Sequence, residues 1–215
     1  MSILNAPPHL IVLDACVLMS GLLRPTLLAL ASAGLFTPLW SERIGEEWRR
    51  NAARLWSIPP EALQDEWDRM QVQFPQANVK GFEAYEAGLR YSDPKDWHVI
   101  AAALAARARS GLPVRPQASV LTWNLKDFNR SELRRQDLQV FDPDRLLAQW
   151  WRDHAVLIRA ALQHTLDDLA RQGRGREGNL TDIVRRERLF RLSRLIQHHA
   201  TSNHSIESTQ PSLIA

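Results

Sequence analysis

Cysteine is nearly absent from this 215-residue chain, with Cys16 the single one. That excludes an intramolecular disulfide framework and a cysteine-rich zinc cage. Long apolar runs are missing as well. Stretches such as 27–36 and 99–106 stop well short of the ~18 residues a membrane span needs. The first ten residues, MSILNAPPHL, lack the basic start and long apolar core of a signal peptide, so the expected location is cytoplasmic, with no membrane partner. Lysine is scarce: of 27 basic residues only Lys80, Lys95 and Lys126 are lysines, and the rest are arginines. A GC-rich coding sequence would produce that bias, and so would a need for bidentate phosphate contacts. No GxGxxG, Walker A or GxSxG motif occurs, so nucleotide-cofactor and serine-hydrolase chemistry lack their signatures. Asp14 is followed by Ala15 and Cys16, which removes the Asp-x-Asp of haloacid-dehalogenase-type phosphatases.

What is present describes a globular protein: 45% hydrophobic and 24% charged residues, mean hydropathy −0.31 and a formal net charge of +3. The length suits one domain with an appendage. LIVL, Leu10–Leu13, is an apolar β-branched run that ends at Asp14 and reads as a buried strand. A helix is expected over 26–33, closed by Gly34, then a strand over 36–40 and a helix from Ser41 towards Trp56. Pro60 opens a further helix to Gln73, and 79–85 reads as a short strand and turn. Asp93-Pro94 opens an apolar helix over 95–108 ended by Gly111. Strands follow at 119–122 and 138–141, and a helix at 143–151. Strands alternating with helices indicate α/β architecture around a largely parallel sheet. Beyond about residue 153 the pattern is wholly helical.

In an open parallel sheet, ligands gather at the carboxyl ends of the strands. Here LIVL runs into Asp14, SVLT into Trp123, Asn124 and then Asp127, and LQVF into Asp142. On the helix after Ser41, Ile44, Trp48 and Leu55 define a buried stripe. Glu47 falls at about 300° on its edge, while Glu46 falls at about 200° and faces away. The same arithmetic places Asp96 on the apolar face of its helix and His98 opposite it, where a histidine is expected to be a surface or packing residue. Asp93, Pro94 and Asp96 also form an acid-rich helix start, with Asp93 as the cap. Asp142-Pro143 reads as a cap alone. Inward-facing acids without a cysteine or histidine cluster suit a hard, oxygen-liganded ion such as Mg2+ or Mn2+.

The ordered set LIVLDACVL, WSERIGEEWRR, SDPKDWHVIAAAL and VLTWNLKDF resembles the PIN-domain nucleases, especially the VapC-like toxins, over residues 9–150. The resemblance implies a PIN-like three-layer α/β/α sandwich with a central parallel sheet of four or five strands. It also implies Mg2+- or Mn2+-dependent hydrolysis of RNA, with Asp14, Glu47, Asp96 and Asp93 at the metal. The fourth family position holds Asn124, and Asp127 stands nearby as an alternative. Catalysis is therefore expected to rest on Asp14, Glu47, Asp96 and Asp127 or Asn124, supported by the Thr122 hydroxyl. The competing reading is a catalytically inert PIN-like module that binds RNA or protein; a DNA nuclease would use the same acids.

The expected organisation is a nuclease domain over 1–152, a basic helical extension over 153–200 and a disordered tail over 201–215. Between 171 and 194 eight arginines face three acids, Glu177, Asp182 and Glu187. Arg185, Arg186, Arg188 and Arg191 are candidates for contact with RNA or a partner. A cognate antitoxin and a homodimer are the partners that the resemblance implies. Trp150, Trp151 and 189–196 are the expected apolar surface for such contacts.

Overall fold

The computed structural model describes residues 9–109 and 116–207. Four short strands, β1 (Leu10–Leu13), β2 (Thr37–Leu39), β3 (Ala118–Leu121) and β4 (Leu138–Phe141), form one parallel sheet in the order β2-β1-β3-β4. Ile11, Val12, Leu13, Val120 and Leu121 are fully buried, as expected of strands covered on both faces. The chain steps from β1 to β2 on one side and then back across β1 to β3 on the other. The direction therefore reverses between β1 and β3. Right-handed connections place α1 (Ala15–Leu18) and α2 (Leu23–Ser32) on one face. The return path from β2 to β3 carries α3 (Glu42–Trp56), α4 (Pro60–Gln73) and α5 (Trp97–Arg109), and α6 (Arg130–Arg135) connects β3 to β4. This is the PIN-like α/β/α sandwich, with four parallel strands.

The helices begin where local chemistry dictates. The Ser41 hydroxyl accepts the Ile44 amide at 3.3 Å and caps α3. Pro60 opens α4 as its first residue. Along α3, Ile44, Trp48 and Ala52 are buried, Glu47 is half-buried and Glu46 is exposed, as the helical wheel placed them, but Leu55, assigned to the buried stripe, is 63% exposed in the last turn. Gly45 sits where α3 meets α4, and a Cβ there would overlap the indole of Trp67. Trp67 in turn stacks at a tilt on Trp40 and Trp48, with ring centroids 5.8 and 6.3 Å away.

Several expectations need correction. No strand forms over 79–85: Trp40 and Asn78 make an isolated parallel bridge, Gly81 turns the chain at φ +66°, and Glu83–Gly88 is a 3-10 turn. Pro94–Asp96 is a 3-10 turn, and α5 proper starts at Trp97. The helix expected to end near Trp151 is the first part of α7 (Pro143–Arg171), which breaks at non-helical dihedrals at His154, close to the expected end, and resumes as the helical region foreseen beyond it. The helices α1 and α6 were not foreseen; both are shorter than two turns and too brief for a periodic pattern. Gly111 lies outside the described residues.

The chain divides into two compact units, Met1–Pro143 and Asp144–Ala215. The sequence had placed the start of the extension at 153. In the second unit, α8 (Leu180–Arg186) packs on α9 (Phe190–Glu207). The buried Asp144 carboxylate accepts the amides of Arg191 at 2.9 Å and Leu192 at 3.0 Å, closing the start of α9. The helix continues past 201, where a disordered tail was expected; residues 208–215 lie outside the described residues. Trp151, Leu189, Leu192 and Ile196 are buried, so they do not supply the apolar surface expected of them.

Replacing Gly45 by alanine should destabilise the fold by about 1–3 kcal/mol through overpacking against Trp67, outweighing the ~1 kcal/mol gain in helix propensity. Urea unfolding of both proteins checks this, and a Gly45→Ala variant at least as stable as the parent contradicts the packing account.

Candidate active site

The site forms where the strand order reverses. Asp14 follows β1 and is only 3% exposed. Its amide donates to Leu121 O at 3.1 Å, so sheet pairing carries one residue beyond the strand. Thr122, the residue after β3, donates its hydroxyl to Asp14 Oδ2 at 2.6 Å and accepts the Asn124 amide at 3.0 Å. The Cys16 thiol donates to the same Asp14 oxygen at 3.2 Å. Burial and the Asp14 charge push that thiol up to about 12, so it remains protonated and serves as a donor. Burial raises the Asp14 carboxyl above its ordinary range, and the Thr122 and Cys16 hydrogen bonds partly offset this.

A cleft of about 700 Å3 is lined by Glu47, Asp93, Asp96, Asn124 and Asp127; Asp14 does not line it but lies near enough for its charge to act on Asp96. The elements that place them differ. Glu47 projects from α3. Asp93 caps the 3-10 turn by accepting the Lys95 amide at 2.9 Å. Asp96 ends that turn, and Asn124 and Asp127 flank the short turn Leu125–Asp127 after β3. A backbone bond from Asp93 N to Asp127 O, 2.8 Å long, ties the two acidic turns together. Both Asn124 and Asp127, left as alternatives by the sequence, line the cleft.

A residue not foreseen holds this arrangement. Glu132, 4% exposed at the start of α6, accepts the amides of Arg90, Tyr91 and Ser92 at 2.6, 3.1 and 2.8 Å. The Asn129 amide donates to the Ser92 hydroxyl at 3.0 Å. The segment leading to Asp93 is thereby pinned to the segment following Asp127. Burial alone would raise the Glu132 carboxyl, but the Ser92 hydroxyl and the three amides outweigh it and hold it below the usual range.

The electrostatics of the cleft are those of acids that repel. Asp96 is pushed up to about 7, first by burial and then by the charges of Asp14, Asp127, Asp93 and Glu47. Burial also raises Glu47, as does the charge of Asp14, against the opposing charges of Arg50 and Arg43. Arg43, Arg50, Lys95 and Lys126 line the same cleft and supply its positive rim. The sequence did not single them out. His98 is 2% exposed and lines the cleft too, with Nε2 3.7 Å from Glu47 Oε2. Burial and the Arg43 charge lower it to about 4, so the contact joins a neutral ring to a carboxyl group. Neither ring nitrogen has a well-formed hydrogen bond.

The donor set consists of hard oxygens, as Mg2+ and Mn2+ require. Among the described residues, no three carboxylate, histidine or cysteine side chains stand close enough to form a finished ion cage. The mutual repulsion at Asp96 is the feature that a cation would relieve.

The four candidate arginines lie in the second unit and separate into different settings. Arg186 donates to Glu177 O, and Arg191 reaches Asp144 at 3.6 Å. Arg188 holds a left-handed turn at φ 66° between α8 and α9. Arg185 lines a groove between these helices.

Residues 10–110 match the family model of the PIN domain. The match covers Asp14, Glu47, Asp93 and Asp96, stops before Asn124 and Asp127, and supports a PIN-domain family for this segment. PIN domains are in general metal-dependent nucleases. No curated protein and no solved structure matches the chain.

Two outcomes follow from the electrostatics. The folded chain holds the Asp96 proton more tightly than the unfolded chain, so this group's contribution is present at low pH and lost as pH rises from about 4 through about 7. Ion-free Asp96→Asn protein should therefore be more stable than the parent near pH 8, with the gap closing near pH 5; denaturation in chelator at both values is the check. Glu132 has the opposite sign: its contribution is present above the ordinary carboxylate range and lost as pH falls through its lowered value. Glu132→Ala should cost on the order of 3 kcal/mol at neutral pH by leaving three amides without their acceptor. A cost below about 0.5 kcal/mol in chemical denaturation would show that the clamp is dispensable.

Proposed function

We propose that the chain is a divalent-metal-dependent endoribonuclease that hydrolyses RNA phosphodiesters. The observation that carries this reading is the raised Asp96 carboxyl amid Asp14, Glu47, Asp93 and Asp127, at the carboxyl ends of β1 and β3. Mg2+ or Mn2+ would be held by Asp14 and Asp96 with Glu47 and Asp93. When bound, such an ion supplies charge neutralisation at the phosphate and acidity to a water.

The side chains divide the remaining work. Thr122 and Cys16 fix one oxygen of the buried Asp14. Glu47 orients the attacking water and accepts its proton. Asn124 donates its side-chain amide to the water or the phosphate, and Asp127 accepts from the water. Arg43, Arg50, Lys95 and Lys126 receive the nonbridging phosphate oxygens. Water adds to phosphorus in line, the bond to the 3′ oxygen breaks, and that oxygen takes up a proton. The finer reading, a toxin of a type II pair held by a cognate antitoxin and working as a homodimer in the cytoplasm, is supported by the motif resemblance alone.

The test is cleavage of RNA by purified protein with Mg2+ or Mn2+, beside Asp96→Asn and beside excess chelator. Expected are metal-dependent cutting and a loss of at least about 100-fold in the variant. Cutting that persists in chelator, or equally in the variant, contradicts the assignment. Binding of RNA without cutting by the parent protein favours the inert module.

A further inference from the structure

We propose that the groove between α8 and α9 is a binding site for single-stranded RNA, separate from the acidic cleft; the identity of the ligand rests on the nuclease reading above. The groove encloses about 680 Å3. Along α9, Phe190, Arg194 and Gln197 recur at the spacing of one helix face, and Arg185 faces them from α8.

The chemistry of this stripe is that of a stacking platform. Phe190 stands 51% exposed on the first turn of α9, with its ring available at the groove. Arg194, one turn further along α9, is exposed and donates Nε to Phe190 O at 3.4 Å. Ser193 is buried and donates to Thr181 O at 3.1 Å, locking the two helices at this spacing. Asp144 fixes the start of α9 from α7. The groove is therefore preformed. A base can stack on Phe190 while adjacent phosphates meet Arg185 and Arg194. Gln197 and Asp182, the carboxylate of the groove, are placed for base edges.

Charge selects a polyanion as the occupant. The second unit has eleven arginines against eight acids, whereas the first has sixteen basic and sixteen acidic residues. The entire formal excess of +3 thus belongs to the unit that contains the groove.

The experiment uses the full chain carrying Asp96→Asn, so that RNA is not consumed, and a labelled single-stranded RNA of about twelve nucleotides. Phe190→Ala should weaken binding by about tenfold. Arg185→Ala and Arg194→Ala should each weaken it severalfold and each reduce the slope of log affinity against log salt by about 0.7. Arg174→Ala, which removes the same charge from an exposed position outside the groove, should cost less than either. All four side chains are exposed, and unchanged thermal unfolding confirms intact folding. In the active chain, Phe190→Ala should raise KM and leave kcat unchanged.

Wild-type affinity in Phe190→Ala overturns the proposal, as does an Arg174→Ala loss equal to that of Arg194→Ala, which would mean diffuse attraction only. If the parent cuts RNA while Phe190→Ala keeps its KM, the groove assignment falls and the nuclease reading stands. If the parent neither binds nor cuts RNA, both fall. A groove variant that converts a dimer to a monomer in sedimentation assigns the surface to a second copy of the chain and overturns the RNA proposal.

Discussion

The hydrogen bond from the Thr122 hydroxyl to the Asp14 carboxylate is the point on which the first unit turns. A carboxylate at the end of a buried parallel strand is costly unless hydrogen-bonded or paired. Here the neighbouring strand supplies the donor, because β1 and β3 are adjacent at the reversal of strand order. The same hydroxyl accepts the Asn124 amide and so directs the chain into the turn carrying Asp127. One side chain thus satisfies an acid and aims the loop that carries two more polar groups into the cleft.

The five acids that repel one another are held together by a sixth carboxylate, engaged with backbone amides outside the cleft. Glu132 binds three consecutive amides before Asp93, and Asp93 N binds Asp127 O. The loops therefore cannot relax apart to relieve the charge at Asp96 without breaking a buried cluster of charge-assisted hydrogen bonds. The cost of crowding is carried by local backbone chemistry outside the cleft, as strained or charged sites generally require of their surroundings.

Much of this was legible in the sequence, and for identifiable reasons. Asp14 could be found because an apolar strand ends on it, and Glu47 because α3 has a clean buried stripe that fixes its angular position. His98 was placed on the wrong side because the wheel treated Asp96 and His98 as one α-helix. Asp96 instead closes the 3-10 turn Pro94–Asp96, and α5 starts only at Trp97. In addition, α5 is buried all round from His98 to Ala105, which leaves no polar face to orient by. Glu132 and Asp144 escaped notice because their partners are backbone amides some 40 and 47 residues away, and amides carry no sequence signal. The rim cations Arg43, Arg50, Lys95 and Lys126 looked like solvated charges, since only the fold brings their elements around one cleft.

The pairing of β1 with β3 also has a consequence in time. Leu13 lies beside Leu121, and the Asp14–Thr122 bond spans 108 positions of sequence. At roughly 5–20 residues per second, a ribosome makes Asp14 about 5–20 s before Thr122 exists. In the nascent chain Asp14 therefore lacks the donor that fixes its carboxylate, and the cleft lacks its floor. Whatever the site does to nucleic acid, it cannot do it to the message being read until synthesis has passed β3 and the turn that follows it.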